Sequence, residues 1–417
     1  MYKTLKECRL CNSDFFEESL VLNSTPAANE LYESEDLALT AEKFPLEVVM
    51  CKECKHLQLR HIVDPVRLFS NYIYKSGTSE FFRNHFKEFS ENLSEVLPNE
   101  GYILEVGSND GTLMKALELV GKKVIGIEPS SLLTEECKEN GLTVIQGFLD
   151  ENTVGEVLNE YGKPICVLGN NVFAHIDDIR SSFELIYGIL EENGIFVFEV
   201  AHAINILKDG IFDTIYHEHM SYHTALAMQS FSRSMGFEMY KIEKISPHGG
   251  SLRFYLRKGK VDEPQESMLK IIQEEVSLGF NTPEVLTEIS KRINNLKQKV
   301  QKQVAVLTNS KKVQFVGYGA PAKVVTFLSE MGLEKLPLIA VIDDNPSKQK
   351  KHLPASGFFI DSQSNVARML DFDSETRIVI LVFPWNLGKE ILQKLKSSLP
   401  KDSSVITFFP QFMETRI

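Results

Sequence analysis

The chain has 417 residues, more than one domain usually holds, and at about 150 residues per domain we expect two or three domains. It carries 45 Lys and Arg against 57 Asp and Glu, a net charge of −12, and 43% of its residues are hydrophobic. This composition is typical of a soluble globular protein, and the acidic charge argues against a general binder of nucleic acids or anionic membranes. No stretch approaches the roughly 18 apolar residues of a membrane span, and the start, MYKTLKECRLC, lacks the apolar core of a signal peptide, so we expect a cytoplasmic protein.

The cysteines are unevenly distributed along the chain. Four of the six form two pairs with the same spacing, Cys8 with Cys11 and Cys51 with Cys54. Each pair can present two thiolates from one tight turn, and two such turns complete a tetrahedral sulfur shell around zinc. A full shell leaves no open position for water or substrate, so the predicted zinc is structural and stabilises a small N-terminal module. The alternative is that these four cysteines are unrelated buried residues. Cys137 and Cys166 are isolated in the sequence, and we interpret both as core residues.

The pattern of strands and helices divides the chain into four parts. After a zinc-binding module at 1–75, apolar residues at helical spacing predict a helix over 78–97. Short apolar strands then alternate with helices, which is typical of a parallel sheet with crossover helices. The predicted strands are 102–106, 123–128, 142–146, 165–169 and 195–200, followed by a hairpin of 237–245 and 251–258. The predicted fold is therefore α/β, with a class I methyltransferase domain that binds S-adenosylmethionine (SAM) at 76–262, bridging helices at 263–310 and a C-terminal Rossmann-like domain at 311–417.

The first strand of the central domain leads into a glycine-containing loop. In ILEVGSNDG the chain turns at Gly107 and Gly111 and continues as a helix, whose N-terminus supplies unpaired N–H groups. A dinucleotide-binding loop would read G-x-G-x-x-G. Here the loop contains Asn109 and Asp110 and is preceded by Glu105. A carboxylate at that position would repel phosphate and would suit the ammonium group of SAM.

The following strands end in further candidate SAM ligands. Glu128 ends the second strand, 21 residues after the first glycine of the loop, where a carboxylate usually binds the ribose hydroxyls. Phe148 and Leu149 follow the third strand and are candidates to flank an adenine, and Asn170 follows the fourth strand at the ligand-binding edge. SAM is therefore the predicted cofactor. The alternative is an α/β fold with a vestigial site.

The segment YHEHMSYH, residues 216–223, concentrates titratable side chains soon after the fifth strand, where a catalytic loop would lie. Neutral histidine accepts a proton at cellular pH because its reference pKa is about 6.5. We therefore expect general acid–base catalysis here. A polar surface loop is one alternative. A metal site is another, because His219 and His223 lie four residues apart, but no carboxylate pair with clear spacing completes it.

Together these motifs resemble those of a known family. The paired Cys-x-x-Cys turns, EVGSNDG, YHEH, PHGGSLR (247–253) and VGYGAPAK (316–323) are similar in order and spacing to those of SAM-dependent sugar C-methyltransferases that act on nucleotide-linked 4-keto-deoxyhexoses. The resemblance covers nearly the whole chain and implies a zinc module, a central SAM domain and a C-terminal Rossmann-like domain. It also implies a substrate linked to dTDP, GDP or CDP, bound between the last two domains.

The resemblance also assigns active-site residues by position. Tyr216, Glu218 and His219 match the family's Tyr-x-Glu-His run. His175, in NNVFAHI, matches a second active-site histidine. Tyr74, in NYIYKS, matches a tyrosine that reaches into the site from the zinc module.

The C-terminal glycine motif, VGYGAPA, has three interpretations. It fits a dinucleotide fingerprint, and the next strand ends in Asp343 and Asp344. The same helix N-terminus, with Gly319 and Lys323, would suit the diphosphate of a sugar nucleotide, and the family resemblance favours that use. The third interpretation is purely structural. Arg253, in SLRFYL, is another candidate substrate contact, or else an arginine whose stem lies along a strand.

The implied reaction transfers a methyl group from SAM to carbon 3 of a 4-keto sugar. The ketone acidifies the neighbouring C–H bond, so the site needs a base beside that carbon and donors facing the enolate oxygen. His219 is the candidate base, with Glu218 or another neighbour orienting its ring. Tyr216, His175 and Tyr74 are candidates to polarise the ketone or relay the proton. The alternatives are an O- or N-methyltransferase acting on a small molecule, and a zinc-ribbon adaptor that senses SAM without catalysis.

Overall fold

The computed structural model describes residues 2–69, 75–259, 266–309, 312–371, 376–396 and 403–416. The strands within these residues form four β-sheets. Tyr74 lies outside these residues. Among the helices of the described residues, none is both long enough and apolar enough to span a bilayer.

The N-terminal region is built from short antiparallel strands. Its elements are β1 (Tyr2–Thr4), β2 (Phe16–Thr25), α1 (Glu35–Leu39), β3 (Phe44–Cys51), β4 (Leu57–Leu59), β5 (His61–Val63) and α2 (Pro65–Phe69). Strands β1 and β5 form one small sheet, and β2, β3 and β4 are neighbours in a second one. The two Cys-x-x-Cys turns lie at the same end of this region. The first turn precedes β2, and the second begins at Cys51, the last residue of β3, which pairs with Phe16 at the start of β2.

The central region contains a mainly parallel sheet of seven strands. Its elements are α3 (Glu80–Val96), β6 (Tyr102–Val106), α4 (Thr112–Leu119), β7 (Lys123–Glu128), α5 (Ser131–Glu139), β8 (Val144–Gln146), α6 (Glu151–Tyr161), β9 (Cys166–Asn170), α7 (Ile179–Ile189), β10 (Ile195–Ala201), α8 (Ile204–Lys208), β11 (Ser221–Tyr222), α9 (Ala225–Ser234), β12 (Phe237–Ile245) and β13 (Ser251–Lys258). The strand order is β12-β13-β10-β9-β6-β7-β8, and β13 runs antiparallel to both of its neighbours. Each predicted central strand is present, with bounds that differ by at most two residues.

Strand β11 does not join this sheet. It pairs with β4 of the N-terminal region, with Ser221 opposite Gln58 and Tyr222 opposite Leu57. The sequence pattern gave no indication of this pairing, because the two segments lie more than 150 residues apart and a strand of two residues has no periodicity. The segment that follows YHEH is therefore anchored to the N-terminal sheet.

The C-terminal region is a second parallel sheet, preceded by two helices. Its elements are α10 (Glu266–Ser277), α11 (Glu284–Thr308), β14 (Val313–Tyr318), α12 (Val324–Met331), β15 (Leu338–Ile342), β16 (Ile360–Asp361), α13 (Gln363–Met369), β17 (Arg377–Val382), α14 (Gly388–Lys396), β18 (Ser404–Thr407) and β19 (Met413–Arg416). The strand order is β16-β15-β14-β17-β18-β19, and only β19 is antiparallel among these described strands.

One hydrophobic core joins the N-terminal and C-terminal regions. Leu20 and Leu22 of β2 pack in the same cluster as Ile289 and Val300 of α11 and Phe327 of α12. Each fully buried side chain of this kind contributes about 1.5–3 kcal/mol. The shared core fixes both regions against the central domain and leaves a cavity where the three meet.

Candidate active site

The cavity has a volume of about 1520 Å³ and lies beyond the C-terminal ends of β6, β7 and β9. Ligands of parallel α/β sheets bind at this edge. The N-terminal region contributes Asn29 and Phe69 to its walls, and the C-terminal region contributes Lys323 and Trp385. Pockets for one small ligand usually measure about 300–1,000 Å³, so this cavity has room for a cofactor and a substrate together.

Eight of the nine predicted SAM ligands line one half of the cavity. They are Glu105, Gly107, Asn109, Asp110, Glu128, Phe148, Leu149 and Asn170. The exception is Gly111, which precedes α4 with a φ of 72° and packs so closely on Leu142 that a Cβ atom would lie 2.2 Å from Cδ1 of that residue. Gly111 therefore shapes the loop and does not form the cavity wall.

Glu128 fixes the glycine loop through both of its carboxylate oxygens. Oε2 accepts the backbone N–H of Asn109 and Oε1 accepts that of Ser130, each at 2.9 Å. Burial raises the pKa of Glu128, while the two N–H groups lower it. The carboxylate keeps unused lone pairs at the cavity, where ribose hydroxyls can donate to it.

Three buried side-chain atoms in this half have no hydrogen-bond partner among the described residues. They are Oε2 of Glu105 and the Oδ1 and Nδ2 atoms of the half-buried Asn170. Burial raises the pKa of Glu105 well above its ordinary value. Unpaired buried polar atoms are costly unless a ligand satisfies them. A cationic amino-acid end such as that of SAM fits these two side chains, and Phe148, which is 39% exposed at the cavity, offers an aromatic face for adenine.

The other half of the cavity contains Tyr216, His175 and His219. Nδ1 of His219 lies 2.7 Å from the carbonyl oxygen of Thr214, so Nδ1 carries the proton and donates it. Nε2 then carries the lone pair of the neutral ring, and it accepts a hydrogen bond from the Tyr216 hydroxyl at 2.8 Å. The Thr214 carbonyl orients the base candidate, the task that the sequence suggested for Glu218 or another neighbour.

His175 and His219 are held in the neutral form. Burial lowers the pKa of His219 to about 4 and that of His175 well below its ordinary value. Their ring centroids are 5.0 Å apart. His223, the second histidine of the metal-site alternative, instead approaches the carbonyl oxygen of Phe173 at 3.0 Å. Because both ring nitrogens of His219 and Nε2 of His223 are used in separate hydrogen bonds, the geometry does not favour a metal there.

Glu218 does not line the cavity. Its carboxylate is buried and accepts two hydrogen bonds from Nδ2 of Asn29, at 2.8 and 2.9 Å. Burial raises the pKa of Glu218 to about 7. The structure therefore separates Glu218 from the other members of the Tyr-x-Glu-His run.

Several cavity residues were missed as site residues by the sequence analysis. His248 lines the cavity beside Phe82, with ring centroids 5.2 Å apart, and burial lowers its pKa to about 4. Trp385 also lines it, and its indole N–H donates to the buried carboxylate of Asp213 at 3.0 Å. Gly249, in the same PHGG turn as His248, packs so closely on Trp385 that a Cβ atom would lie 2.4 Å from its ring. Nothing in the sequence around Trp385 pointed to the cavity.

The C-terminal glycine motif places Lys323, but not Gly319, at the cavity. Nζ of Lys323 lies 3.9 Å from the centroid of the Trp385 ring and 3.0 Å from Oδ1 of Asn386. Burial lowers the pKa of Lys323 to about 8. Asp343, the acidic residue of the dinucleotide interpretation, accepts the N–H of Ala320 at 2.7 Å from its own glycine loop. Glu128 makes the same kind of bond to its own loop, but Asp343 and Asp344, unlike Glu128, do not line the cavity.

Arg253 lies away from the cavity. Its guanidinium contacts Glu199 at 2.6 Å and Glu243 at 3.1 Å, and it lies 3.8 Å from the centroid of the Phe89 ring. Two carboxylates already neutralise this charge. The structure thus gives Arg253 a place in a buried ion-pair network, and not at the substrate position expected from the sequence.

The four paired cysteines meet in one cluster. All four Sγ atoms lie within 4.8 Å of one another, and Cys8–Cys54 and Cys11–Cys51 are each 3.5 Å apart. A tetrahedron of Zn–S bonds of about 2.3 Å has sulfur atoms about 3.8 Å apart. Four thiolates at this spacing fit zinc. Cys8, Cys11, Cys51 and Cys54 would hold the ion with a full shell, so its contribution is structural.

Comparisons with known proteins agree with this architecture. Residues 8–69 match a zinc binding domain model, 80–242 a methyltransferase domain model and 246–410 the model of the C-methyltransferase C-terminal domain. The fold and its SAM site define a SAM-dependent methyltransferase. With three domain models matched in this order along the chain, the protein is similar to C-methyltransferases.

The chain is also similar to individual proteins. The chain is 28% identical to C-methyltransferase NovU of Streptomyces niveus over 414 residues, which cover 98% of this chain and 96% of that protein. It is 29% identical to an uncharacterized methyltransferase of Oceanobacillus iheyensis over 30% of this chain and 58% of that one. Among solved structures, magnesium protoporphyrin IX methyltransferase from Synechocystis with bound SAH is 14% identical, with a TM-score of 0.35 over 46% of this chain and 92% of that chain.

Proposed function

We propose that this enzyme methylates carbon 3 of a 4-keto-deoxy sugar linked to dTDP, GDP or CDP, and that it does so in the cytoplasm. The observation that carries the proposal is the Tyr216–His219 pair. The proposal is supported by a neutral histidine that lines the same cavity as the predicted SAM ligands and Lys323 and accepts a hydrogen bond from a tyrosine. When bound, SAM supplies an electrophilic methyl group.

The hydrogen bonds define a path for the proton. The Tyr216 hydroxyl passes its proton to Nε2 of His219 as its oxygen takes the proton from carbon 3. The imidazolium that results remains bonded to the Thr214 carbonyl oxygen through Nδ1. Burial disfavours the charged ring, but the enolate formed beside it has the opposite charge and favours it when substrate is present.

In this proposal, His175 stabilises the enolate oxygen. Its ring packs edge-to-face with that of His219, and Phe69 packs against it on another side, with ring centroids 5.5 Å apart. A neutral imidazole donates one N–H, and a donor preorganised toward a developing oxyanion contributes about 3–4 kcal/mol to catalysis. Lys323 offers its charge to the diphosphate from the C-terminal wall of the cavity.

The experiment is mass spectrometry of purified enzyme given SAM and a panel of dTDP-, GDP- and CDP-linked 4-keto-6-deoxy sugars, repeated in deuterated water. We expect a mass gain of one CH₂ that requires the keto group, with the new methyl assigned to carbon 3 by NMR. Deuterium incorporation without SAM would isolate the proton-transfer step. Methylation of an oxygen or nitrogen would overturn the proposal in favour of an O- or N-methyltransferase. SAM binding with neither methylation nor exchange would favour an adaptor that senses SAM.

A further inference from the structure

We propose that Arg9, between the zinc ligands Cys8 and Cys11, is a positioning residue that holds His175 and His219 in place from the zinc site. This inference rests on the proposed function only where it treats these histidines as the reacting groups. It extends the role of the zinc module from folding to the geometry of catalysis.

The guanidinium of Arg9 contacts both histidine segments. Nη1 donates to the carbonyl oxygen of Met220 at 3.2 Å and to that of Leu59 at 3.0 Å. Nε and Nη2 donate to the carbonyl and carboxylate oxygens of Asp177, at 3.2 and 3.3 Å. Met220 directly follows His219, and Asp177 lies two residues after His175. One side chain therefore fixes the backbone beside each histidine.

Backbone bonds make these segments a single unit. The N–H of Met220 donates to the carbonyl oxygen of Ala174 at 2.7 Å, and the N–H of Leu59 in β4 donates to that of Met220 at 2.9 Å. The two histidine segments and β4 thus share donors and acceptors at the place where Arg9 enters. Arginine suits this position because its planar fork serves several acceptors at fixed angles, which a lysine ammonium cannot do.

The zinc turn in turn fixes Arg9. The backbone N–H of Arg9 donates to Oε1 of the buried Gln58 at 2.8 Å, and the two flanking cysteines belong to the four-sulfur cluster. The side chain of Arg9 is only 2% exposed, with Asp177 as its charge partner. A buried charge that loses its place is costly. The metal site and the histidines are therefore joined through one buried residue.

The test compares Arg9→Met and Arg9→Lys with the matched control Arg180→Gln, in the full-length zinc-loaded enzyme. Nη1 of Arg180 donates to the carbonyl oxygen of Leu10 in the same zinc turn, at 2.6 Å. The readouts are zinc content, SAM affinity by calorimetry, kcat and KM with a turned-over keto sugar, and the ring ¹⁵N signals of His175 and His219. Those signals are assigned with His→Asn variants at each position.

We expect both Arg9 variants to retain zinc and SAM affinity, to lose kcat by about 10- to 100-fold with a small change in KM, and to shift both ring signals. Arg180→Gln should leave the ring signals in place. If Arg9→Met fails to fold, Arg9→Lys decides the question. Unchanged ring signals and kcat in a zinc-loaded Arg9 variant would overturn the proposal. Loss of zinc from both variants would overturn it too, because Arg9 would then serve the metal site alone. The ring signals and the zinc content test the positioning role of Arg9 even if no keto sugar is methylated.

Discussion

Asn29 of the N-terminal region donates hydrogen bonds to both carboxylate oxygens of Glu218, at 2.8 and 2.9 Å. Glu218 belongs to the same four-residue run as His219, yet it lies behind the cavity wall. The run thus has two tasks, since Tyr216 and His219 face the cavity while Glu218 ties the loop to the N-terminal region. The buried carboxyl has a pKa of about 7 and is partly protonated near neutral pH.

Replacing Glu218 should change how stability depends on pH. The pKa of Glu218 rises from 4.5 to about 7 on folding, so between these values the native state holds more protons than the unfolded state. Its contribution to stability therefore falls as pH rises through this window. Glu218→Gln removes the effect, and urea unfolding should show the variant gaining about 1–3 kcal/mol on the wild type between pH 4.5 and 7.5. A difference that stays constant with pH would contradict the assignment. Asp213 also has a raised pKa, of about 6, but its titration contributes equally to both proteins and cancels in the difference between their free energies of unfolding.

His219→Asn should lower kcat by about 10²- to 10⁴-fold and leave SAM affinity nearly intact, because the variant loses the proton acceptor. His352→Asn, which alters a histidine bonded to the carbonyl oxygen of Gly357, is the control. The pKa of His219 is about 4, and the ring loses its lone pair only when protonated. When kcat/KM of the wild type is measured against pH, its loss on the acid side should therefore occur well below pH 6.5. Normal turnover by the variant would exclude His219 as the base.

Glu128→Ala should weaken SAM binding by about 10- to 100-fold in calorimetry. The change removes the carboxylate that holds the glycine loop and leaves the N–H groups of Asn109 and Ser130 without that acceptor. Glu139→Ala, on the exposed side of α5, is the matched control. An unchanged affinity would rule out the role of Glu128 in the cofactor site.

Lys323→Met should raise the KM for the nucleotide sugar by at least tenfold while SAM affinity stays the same. Because the pKa of Lys323 is about 8, the charge that attracts a diphosphate is present below this pH and is lost above it. The wild-type KM should therefore rise above pH 8, and the variant's KM should not. Lys335→Met, at an exposed position of the same domain, controls for net charge. Parallel pH dependence in variant and wild type would contradict the assignment.

Cys51→Ser should abolish zinc binding and destabilise the N-terminal region. Structural zinc contributes about 10–16 kcal/mol in small zinc-binding peptides, so its loss is large compared with ordinary substitutions. Elemental analysis should find one zinc per chain in the wild type and in the control Cys166→Ala, which alters a buried cysteine outside the cluster. A metal-free, stable and active Cys51→Ser enzyme would refute the structural role.

The sequence alone predicted the features that depend on short stretches of chain. The spacing of Cys8, Cys11, Cys51 and Cys54 defined the sulfur cluster, and apolar runs located the central strands to within two residues. Most of the carboxylates and glycines predicted at the strand ends line the cavity. These predictions succeed because a tight turn, a strand and a strand-to-helix loop are decided by neighbouring residues.

The tertiary structure decided which distant groups face one another. In the folded chain, the Thr214 carbonyl orients His219 and Arg253 contacts Glu199. Trp385 lines the cavity. The tertiary structure also joined β11 to the N-terminal sheet. The β4–β11 pairing joins residues more than 150 positions apart, and the His219 contact pairs a side chain with a backbone carbonyl. No periodicity records such contacts, because they follow from how whole domains pack and from where each buried polar group finds its partner.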